Sequence, residues 1–460
     1  MSFRLPANSK LRKDLGPVGS DFLEHGVGAI DRILPHTESL NWKTHAGTAS
    51  TSVRWSDADR RALKVRVALS VGPKYVVEGT VQRRRVPKGV GSIARTLDSR
   101  EKSICGLIAV KLAGLLGPNT TQGTESLSAL SASFDERVVA AHLAGEFGLA
   151  LDLGRVFARL RRLAENTYEN RALSFGCLIE AGNDAQPPTS QRFPDDFLDR
   201  KRYRALSDGY HTVYRLSRAG CLIAFAALDS KERIPAKTYF PEWCRDLALV
   251  AAGRTVGLSL TTQGDLLVLH GSNLRFTYRF GQWQYWNHAH LVDLLRNAAR
   301  VQKVPKNVIP RVVRAIYRAA LDISFRRTGG LFVLLRNRKT LRDLVRTGDA
   351  MSDRDRHARD SAFDSALPTR SLQSMARSVA AELASLDGAV VLSNKGEILA
   401  YGAVLEPKRK GKIAAAEGSR TKAAIGGSNY GLAVKISSDG DITIYVAGRE
   451  FIHLGSARSV

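Results

Sequence analysis

EGSRTKAAIGG, residues 417–427, sets two cations, Arg420 and Lys422, just after a Gly-Ser pair and ahead of a run of small residues. Ser419 suits the cap of a helix. The first turn of a helix offers free N–H groups and the positive end of its dipole, which together favour an anion. Arg420 can grip a phosphate bidentately, and Lys422 can act as a point charge. Ala423, Ala424, Gly426 and Gly427 let a backbone or a ligand approach closely. Four further cations, Lys408, Arg409, Lys410 and Lys412, lie just upstream. The segment therefore reads either as a phosphate-binding helix start or as an ordinary capped surface helix.

Working outward, the neighbouring text alternates strands and helices. GGLFVLLR (329–336) is a strand, LRDLVRTGDAM (341–351) a short helix and turn, and SDRDRHARDSAFDSALP (352–368) a charged loop. LQSMARSVAAELASL (372–386) is an amphipathic helix with Leu372, Met375, Ala376, Val379, Leu383 and Leu386 on one side. DGAVVLS (387–393) and EILAYGAVL (397–405) flank an Asn-Lys-Gly turn, and GLAVKIS (431–437) with ITIYVAG (442–448) form a hairpin. Asp387-Gly388-Ala389 puts a carboxylate at the start of an apolar strand. There it can hold Mg²⁺ or Mn²⁺ against phosphate oxygens. On its own the tripeptide also reads as a plain Asp-Gly turn.

Taken together, these two motifs in this order resemble the diadenylate cyclase domain, the family of the DNA integrity scanning cyclase and its membrane-bound relatives. Its signatures are a DGA motif and, about 30 residues later, a GTRHR motif. Here they are Asp387-Gly388-Ala389 and Gly418-Ser419-Arg420-Thr421-Lys422, and the resemblance spans roughly residues 325–455. It implies a mixed sheet flanked by helices that binds ATP with Mg²⁺ or Mn²⁺. It also implies a homodimer in which two domains face each other and join two ATP into cyclic di-AMP and pyrophosphate. By position, Asp387 would bind the metal or orient the hydroxyl, and Gly388 and Ala389 would line the base and ribose. Ser419 and Arg420 would contact phosphate, and Asp387, Ser419 and Arg420 would form the catalytic core. Thr421 and Lys422 stand where the family has His and Arg. Losing those donors implies transition-state stabilisation weaker by about 2–4 kcal/mol, so whether the chain is an active enzyme stays open.

The rest of the chain is legible as organisation. Its 460 residues suit two or three domains, and 44% apolar content is enough to bury real cores and excludes wholesale disorder. The fold class is α/β, mixed α+β. An N-terminal α/β region covers residues 1–300; its role is not legible from the sequence, a sensor or regulator being one reading, and the cyclase-like domain covers 305–460. VQKVPKNV (301–308) marks the boundary, and a helix with Pro310 in its first turn follows. On that helix Arg311, Arg314 and Arg318 share a face, either solvated or facing a partner. Residues 1–55 read as short strands and loops, and 60–82 as strands around a Gly-Pro turn. A helix runs from an N-cap at Asp98 to Leu116, and two more occupy 134–167. DAQPPTSQRFPDD (184–196) is a loop between the strands FGCLIEAG (175–182) and GCLIAFAAL (220–228), and 253–286 is a β-meander.

Other signals are weaker. Cys105, Cys177, Cys221 and Cys244 are too scattered for a metal or redox motif and read as buried thiols. His288 and His290 would present two metal ligands from one strand, or be ordinary polar histidines. Trp283, Tyr285, Trp286, Phe276 and Tyr278 make either a stacking platform or a core. No apolar run approaches the ~20 residues of a membrane span, and the N-terminus lacks an apolar signal core, so a soluble, cytoplasmic protein is expected. The formal charge of +25 favours polyanions without choosing among nucleotides, nucleic acid and an acidic membrane. Three readings stay open: a cyclic dinucleotide synthase, a nucleotide sensor on the same fold, and a basic nucleic-acid-binding protein.

Overall fold

The structure, a computed structural model, describes all residues except 1–3, 6–8, 36, 48–50, 56–63, 72–73, 84–96, 117–123, 169–170, 184–192, 232–233, 352–366, 368, 409–417 and 456–460. The Gly-Pro turn at 72–73, most of the Pro-rich loop, all of the charged loop at 352–368 but Leu367, and the cations Arg409, Lys410 and Lys412 fall outside the described residues. The chain forms two units, and each is of mixed α+β class. The first takes in Met1–Arg84, Arg95–Thr238 and Cys244–Trp286; the second takes in Tyr239–Trp243 and Asn287–Val460.

The first unit opens with α1 (Lys10–Ile33), where strands and loops were expected. Its text looks broken because Gly16-Pro17 interrupts it, and Gly16 does adopt φ +67° and kink the helix. Beyond the kink, Phe22, Leu23, Val27, Ile30 and Ile33 recur at helical spacing and are fully buried. Strands β1 (Thr37–Ala46), β2 (Ser52–Trp55), β3 (Lys64–Val71) and β4 (Tyr75–Arg83) form an antiparallel sheet of order β1-β4-β3-β2. Helix α2 (Ser99–Leu115) starts at Asp98, which forms a reciprocal capping box with Glu101. Then come α3 (Thr124–Phe147) and α4 (Leu153–Ala164), the latter capped by Asp152.

After a two-residue pair, β5 (Thr167–Tyr168) with β6 (Arg171–Ala172), the chain builds a seven-stranded sheet. Its strands are β7 (Phe175–Glu180), β8 (Thr212–Ser217), β9 (Leu222–Ala227), β10 (Thr255–Leu260), β11 (Leu266–Leu269), β12 (Leu274–Arg279) and β13 (Gln282–Tyr285). The order is β13-β12-β11-β10-β7-β8-β9, with only β7 and β8 parallel. Short helices α5 (Asp195–Leu198), α6 (Lys201–Leu206) and α7 (Arg245–Val250) fill the connections. The aromatic residues of the meander are core: Phe276, Trp283, Tyr285 and Trp286 are all buried, and Trp283 packs on Phe157 with centroids 4.6 Å apart. All four cysteines are free and buried.

In the second unit, α8 (His288–Val301) and α9 (Ile309–Arg326) lead into a six-stranded mixed sheet. The helix α8 thus groups with this unit, although the sequence reading set it before the boundary. The strands are β14 (Gly330–Leu335), β15 (Ala389–Leu392), β16 (Ile398–Ala403), β17 (Gly431–Ile436), β18 (Ile442–Val446) and β19 (Arg449–Leu454). Their order is β16-β15-β14-β17-β18-β19, and β14–β15 is the parallel pair. Every residue of β14 is buried, as expected for a strand covered on both faces. Leu331, Val333 and Leu335 join the core under α11 (Ser419–Ser428), and α9 with α10 (Arg377–Ser385) packs against the same strand.

The expected helix over 372–386 is two pieces. Leu372–Ser374 is a 3-10 turn, and Met375 and Ala376 are extended before α10. The break follows from hydrogen bonding: Leu372 N donates to Gly396 O, and Ser371 bridges to Glu397, so this end is tied to the β15–β16 turn. Arg377 opens α10 with a fork on the buried Asp322 of α9, its Nε 2.5 Å from Oδ2 and its Nη2 2.8 Å from Oδ1. The same guanidinium reaches the carbonyls of Phe240 and Arg318 and the carboxylate of Glu242, and Glu242 N donates to Asp322 Oδ1 at 2.7 Å. A five-residue strap, Tyr239–Trp243, is thereby bound into the second unit. Burial pushes the Asp322 carboxyl above its ordinary range, against the pull of Arg377.

Candidate functional site

The two motif segments come together in one cavity of about 400 Å³ in the second unit. Asp387, Gly388 and Ala389 form one wall, Ser419, Arg420 and Ala423 another, and Leu331 with Ala403, Val404 and Leu405 complete it. This size falls within the range of small-ligand sites.

Backbone geometry places Asp387. Helix α10 packs so tightly on β14 that a Cβ on Gly330 would lie 2.8 Å from the Ala384 carbonyl. The chain then turns at Gly388, with φ +113°, where a Cβ would sit 2.5 Å from the carbonyl carbon of Gly402. Only glycine fits, and Ala389 pairs directly with Ala403. Asp387 is left exposed at the mouth of the cavity. The opposite wall is held from outside, since Val404 N donates to Asp349 Oδ2 and Val345 bridges to Leu405.

Arg420 is the second residue of α11. Its guanidinium lies over Gly329, whose φ is +73° and on which a Cβ would be 2.4 Å from Nη1. Arg420 has no ion pair among the described residues. Lys422 N bonds to Gly418 O at the start of the helix, and among the described residues the N–H groups of Ser419, Arg420 and Thr421 have no backbone partner. The small residues of α11 serve packing: a Cβ would lie 3.1 Å from Val333 at Gly427 and 2.4 Å from Pro407 at Gly426.

Several expectations are corrected here. Ser419 does not cap α11; Gly418 holds the cap position with no side-chain bond, and Ser419 lines the cavity as the first helical residue. Thr421 and Lys422 do not line it. Thr421 Oγ1 accepts from Lys435 Nζ at 2.9 Å, and Lys422 is exposed. Lys408 is bound to Asp343 at 2.7 Å. His288 and His290 lie in the first turn of α8, with His288 Nδ1 2.8 Å from the buried Tyr317 hydroxyl. Among the described residues no group of three or more His, Cys, Asp or Glu is placed to hold a metal.

Two contributors escaped the sequence reading. Gly329 sets where Arg420 lies. Lys435 faces Leu331 across the β14–β17 ladder, which puts its side chain on the cavity face of the sheet. A lone lysine in an apolar hairpin carries no local motif, and only the strand register reveals it.

A family model described as "DisA bacterial checkpoint controller nucleotide-binding", the DAC domain, matches residues 317–450, a span that includes both motif segments. No curated protein matches the chain. Among solved structures the chain is similar to a hypothetical membrane spanning protein from Bacillus cereus, at 20% identity over 37% of this chain and 76% of that one, with a TM-score of 0.25. It is also similar to a double mutant of DacA from Staphylococcus aureus, at 19% identity over 32% of this chain and 87% of that one, with a TM-score of 0.22. No helix among the described residues is long and apolar enough to cross a membrane.

Proposed function

We propose that the diadenylate-cyclase-type domain at residues 317–450 binds ATP in the cavity between Asp387-Gly388-Ala389 and Ser419-Arg420. The observation that carries this is the convergence of both motif segments on one cavity, with Arg420 and the first N–H groups of α11, which have no ion-pair or backbone partner among the described residues, on the same side. The triphosphate lies at the α11 start, where Arg420 and the helix dipole meet its charge. The ribose and base lie along Gly388, Ala389 and Leu331, where the absence of bulky side chains leaves room.

A divalent cation suits this donor set. Mg²⁺ or Mn²⁺ is commonly held by one or two carboxylates together with substrate phosphates, and Asp387 is one exposed carboxylate on the cavity wall. The ion would arrive with the nucleotide, held by Asp387, and would neutralise charge on the phosphates. Two such domains facing each other in a homodimer can present each ribose 3′-hydroxyl to the other α-phosphorus. A new O–P bond then forms as pyrophosphate leaves, twice per cyclic di-AMP. Positioning and charge neutralisation supply most of such catalysis.

A second reading, a nucleotide sensor with little turnover, is favoured by one observation: Thr421 is committed to Lys435, and Lys422 is exposed and does not line the cavity. Incubation of the full chain with ATP and Mn²⁺, with binding measured by equilibrium dialysis and product by mass spectrometry, separates the readings. Saturable ATP binding is expected, weakened about 10–100-fold in Arg420→Ala, the cost of losing a charged hydrogen bond. Cyclic di-AMP made by the wild type and not by Asp387→Asn identifies a cyclase. Binding without product identifies a sensor. No saturable binding overturns both.

A further inference from the structure

The first unit contains its own cavity, of about 580 Å³ and wholly separate in sequence from the ATP site. Arg137, Ala140 and Ala144 line it from one face of α3, at helical spacing. Lys111 enters from α2, and Leu151 and Leu153 close it at the start of α4. Ser133, Glu136, Asp152 and Arg155 line it as well, so its walls mix apolar and charged groups.

Several basic residues of this unit are matched: Arg83 with Glu101, Arg32 with Asp135, Arg100 with Glu146, Arg159 with Asp199 and Arg215 with Glu180. Lys111 and Arg137 have no hydrogen-bond or ion-pair partner among the described residues. The acids beside them are already in use. Glu136 pairs with Arg161 at 2.9 Å, and Asp152 accepts from Arg155 N at the α4 cap. Arg155 itself is paired with Asp195. Burial lowers the Lys111 pKa, and the like charge of Arg137 lowers it further. Lys111 and the exposed Arg137, on different helices, thus line one concave surface close enough to repel each other, while the two carboxylates of that lining are engaged with other groups. An anion bound between them would relieve that repulsion.

We propose that Lys111 and Arg137 form a second ligand site, for a phosphate-bearing small molecule whose apolar part rests on Ala140, Ala144 and Leu151. Two separate cations match a group with several anionic oxygens better than a single carboxylate. The volume accepts a ligand of mononucleotide size. The site gives the N-terminal unit a chemical input of its own, independent of whether the C-terminal cavity binds ATP.

Calorimetric titration of the full-length Arg420→Ala protein with inorganic pyrophosphate tests this, because that background removes the phosphate grip of the other cavity. The expected result is saturable binding that weakens about tenfold or more in Lys111→Gln and in Arg137→Gln, as for loss of a charged hydrogen bond. Lys111→Arg keeps the charge and should retain most of the affinity, which separates ligand contact from misfolding. No saturable binding up to millimolar pyrophosphate overturns the proposal. So does binding that neither glutamine variant changes.

Discussion

The two cavities are built by opposite means. In the C-terminal unit the walls are strand ends and a helix start, and glycines at 329, 330 and 388 bring backbone and guanidinium to positions no side chain would allow. In the N-terminal unit the walls are helix faces, and what distinguishes the cavity is the charge of Lys111 and Arg137. The first site is set by backbone geometry and the second by side-chain electrostatics. Small changes of shape should therefore damage the first, and changes of charge the second.

The largest effect should come from outside either cavity. Arg377→Ala strips the partner from the buried Asp322 and releases the strap, and breaking a buried pair typically costs about 3–5 kcal/mol. Calorimetric unfolding should show the transition of the C-terminal unit shifted down by that amount, with ATP affinity falling as α10 loosens ahead of Asp387. An unchanged transition would mean that the fork adds nothing to stability.

A smaller and more local change sharpens the contrast. Gly329→Ala puts a methyl where Arg420 Nη1 now lies and imposes φ +73° on an alanine. The guanidinium can swing aside, so the fold should lose only about 1 kcal/mol. ATP binding should nevertheless weaken about tenfold, within the worth of a charge-assisted hydrogen bond. Equal affinity for the variant and the wild type would show that the position of Arg420 does not matter.

The smallest effect concerns the N-terminal unit. Burial pushes the Glu146 carboxyl up, but hydrogen bonds from His142 and Arg100, with their charges, bring it down to about 2. A depressed carboxyl contributes stability that is present above its ordinary range and is lost as the pH falls toward 2. Glu146→Gln should therefore flatten the pH dependence of unfolding between roughly pH 4.5 and 2, with the cysteine and aromatic core untouched. Parallel curves for the two proteins would show that this carboxyl does not govern acid stability.

How much was legible depended on whether the cause was local. The strands of the second sheet read clearly because β14, β15, β17 and β18 are apolar runs bounded by glycine turns. Its last strand, REFIHL, was missed because it opens on two exposed charged residues, Arg449 and Glu450. Helix α1 was hidden by Gly16-Pro17, although its buried face is periodic once the kink is passed. In the site, Asp387 and Arg420 could be named from motif order. Gly329 and Lys435 could not, because what fixes their roles is contact with residues some hundred positions away or a strand register. The charge of +25 favours polyanions without choosing one: several N-terminal cations are spent on ion pairs, and the placement of Lys111 and Arg137 on one cavity could be read only from the fold.

The strap at Tyr239–Trp243 means that the second unit is not a continuous length of polypeptide. A fragment starting at Asn287 carries every motif residue yet lacks the Phe240 carbonyl and the Glu242 N–H that complete the Arg377–Asp322 fork. Such a fragment should be less stable than the same unit within the whole chain, and a synthetic peptide of the strap sequence, added in trans, should restore part of the loss. A gene segment encoding the site alone could not be shuffled intact into another protein, so the two units are expected to be inherited as one.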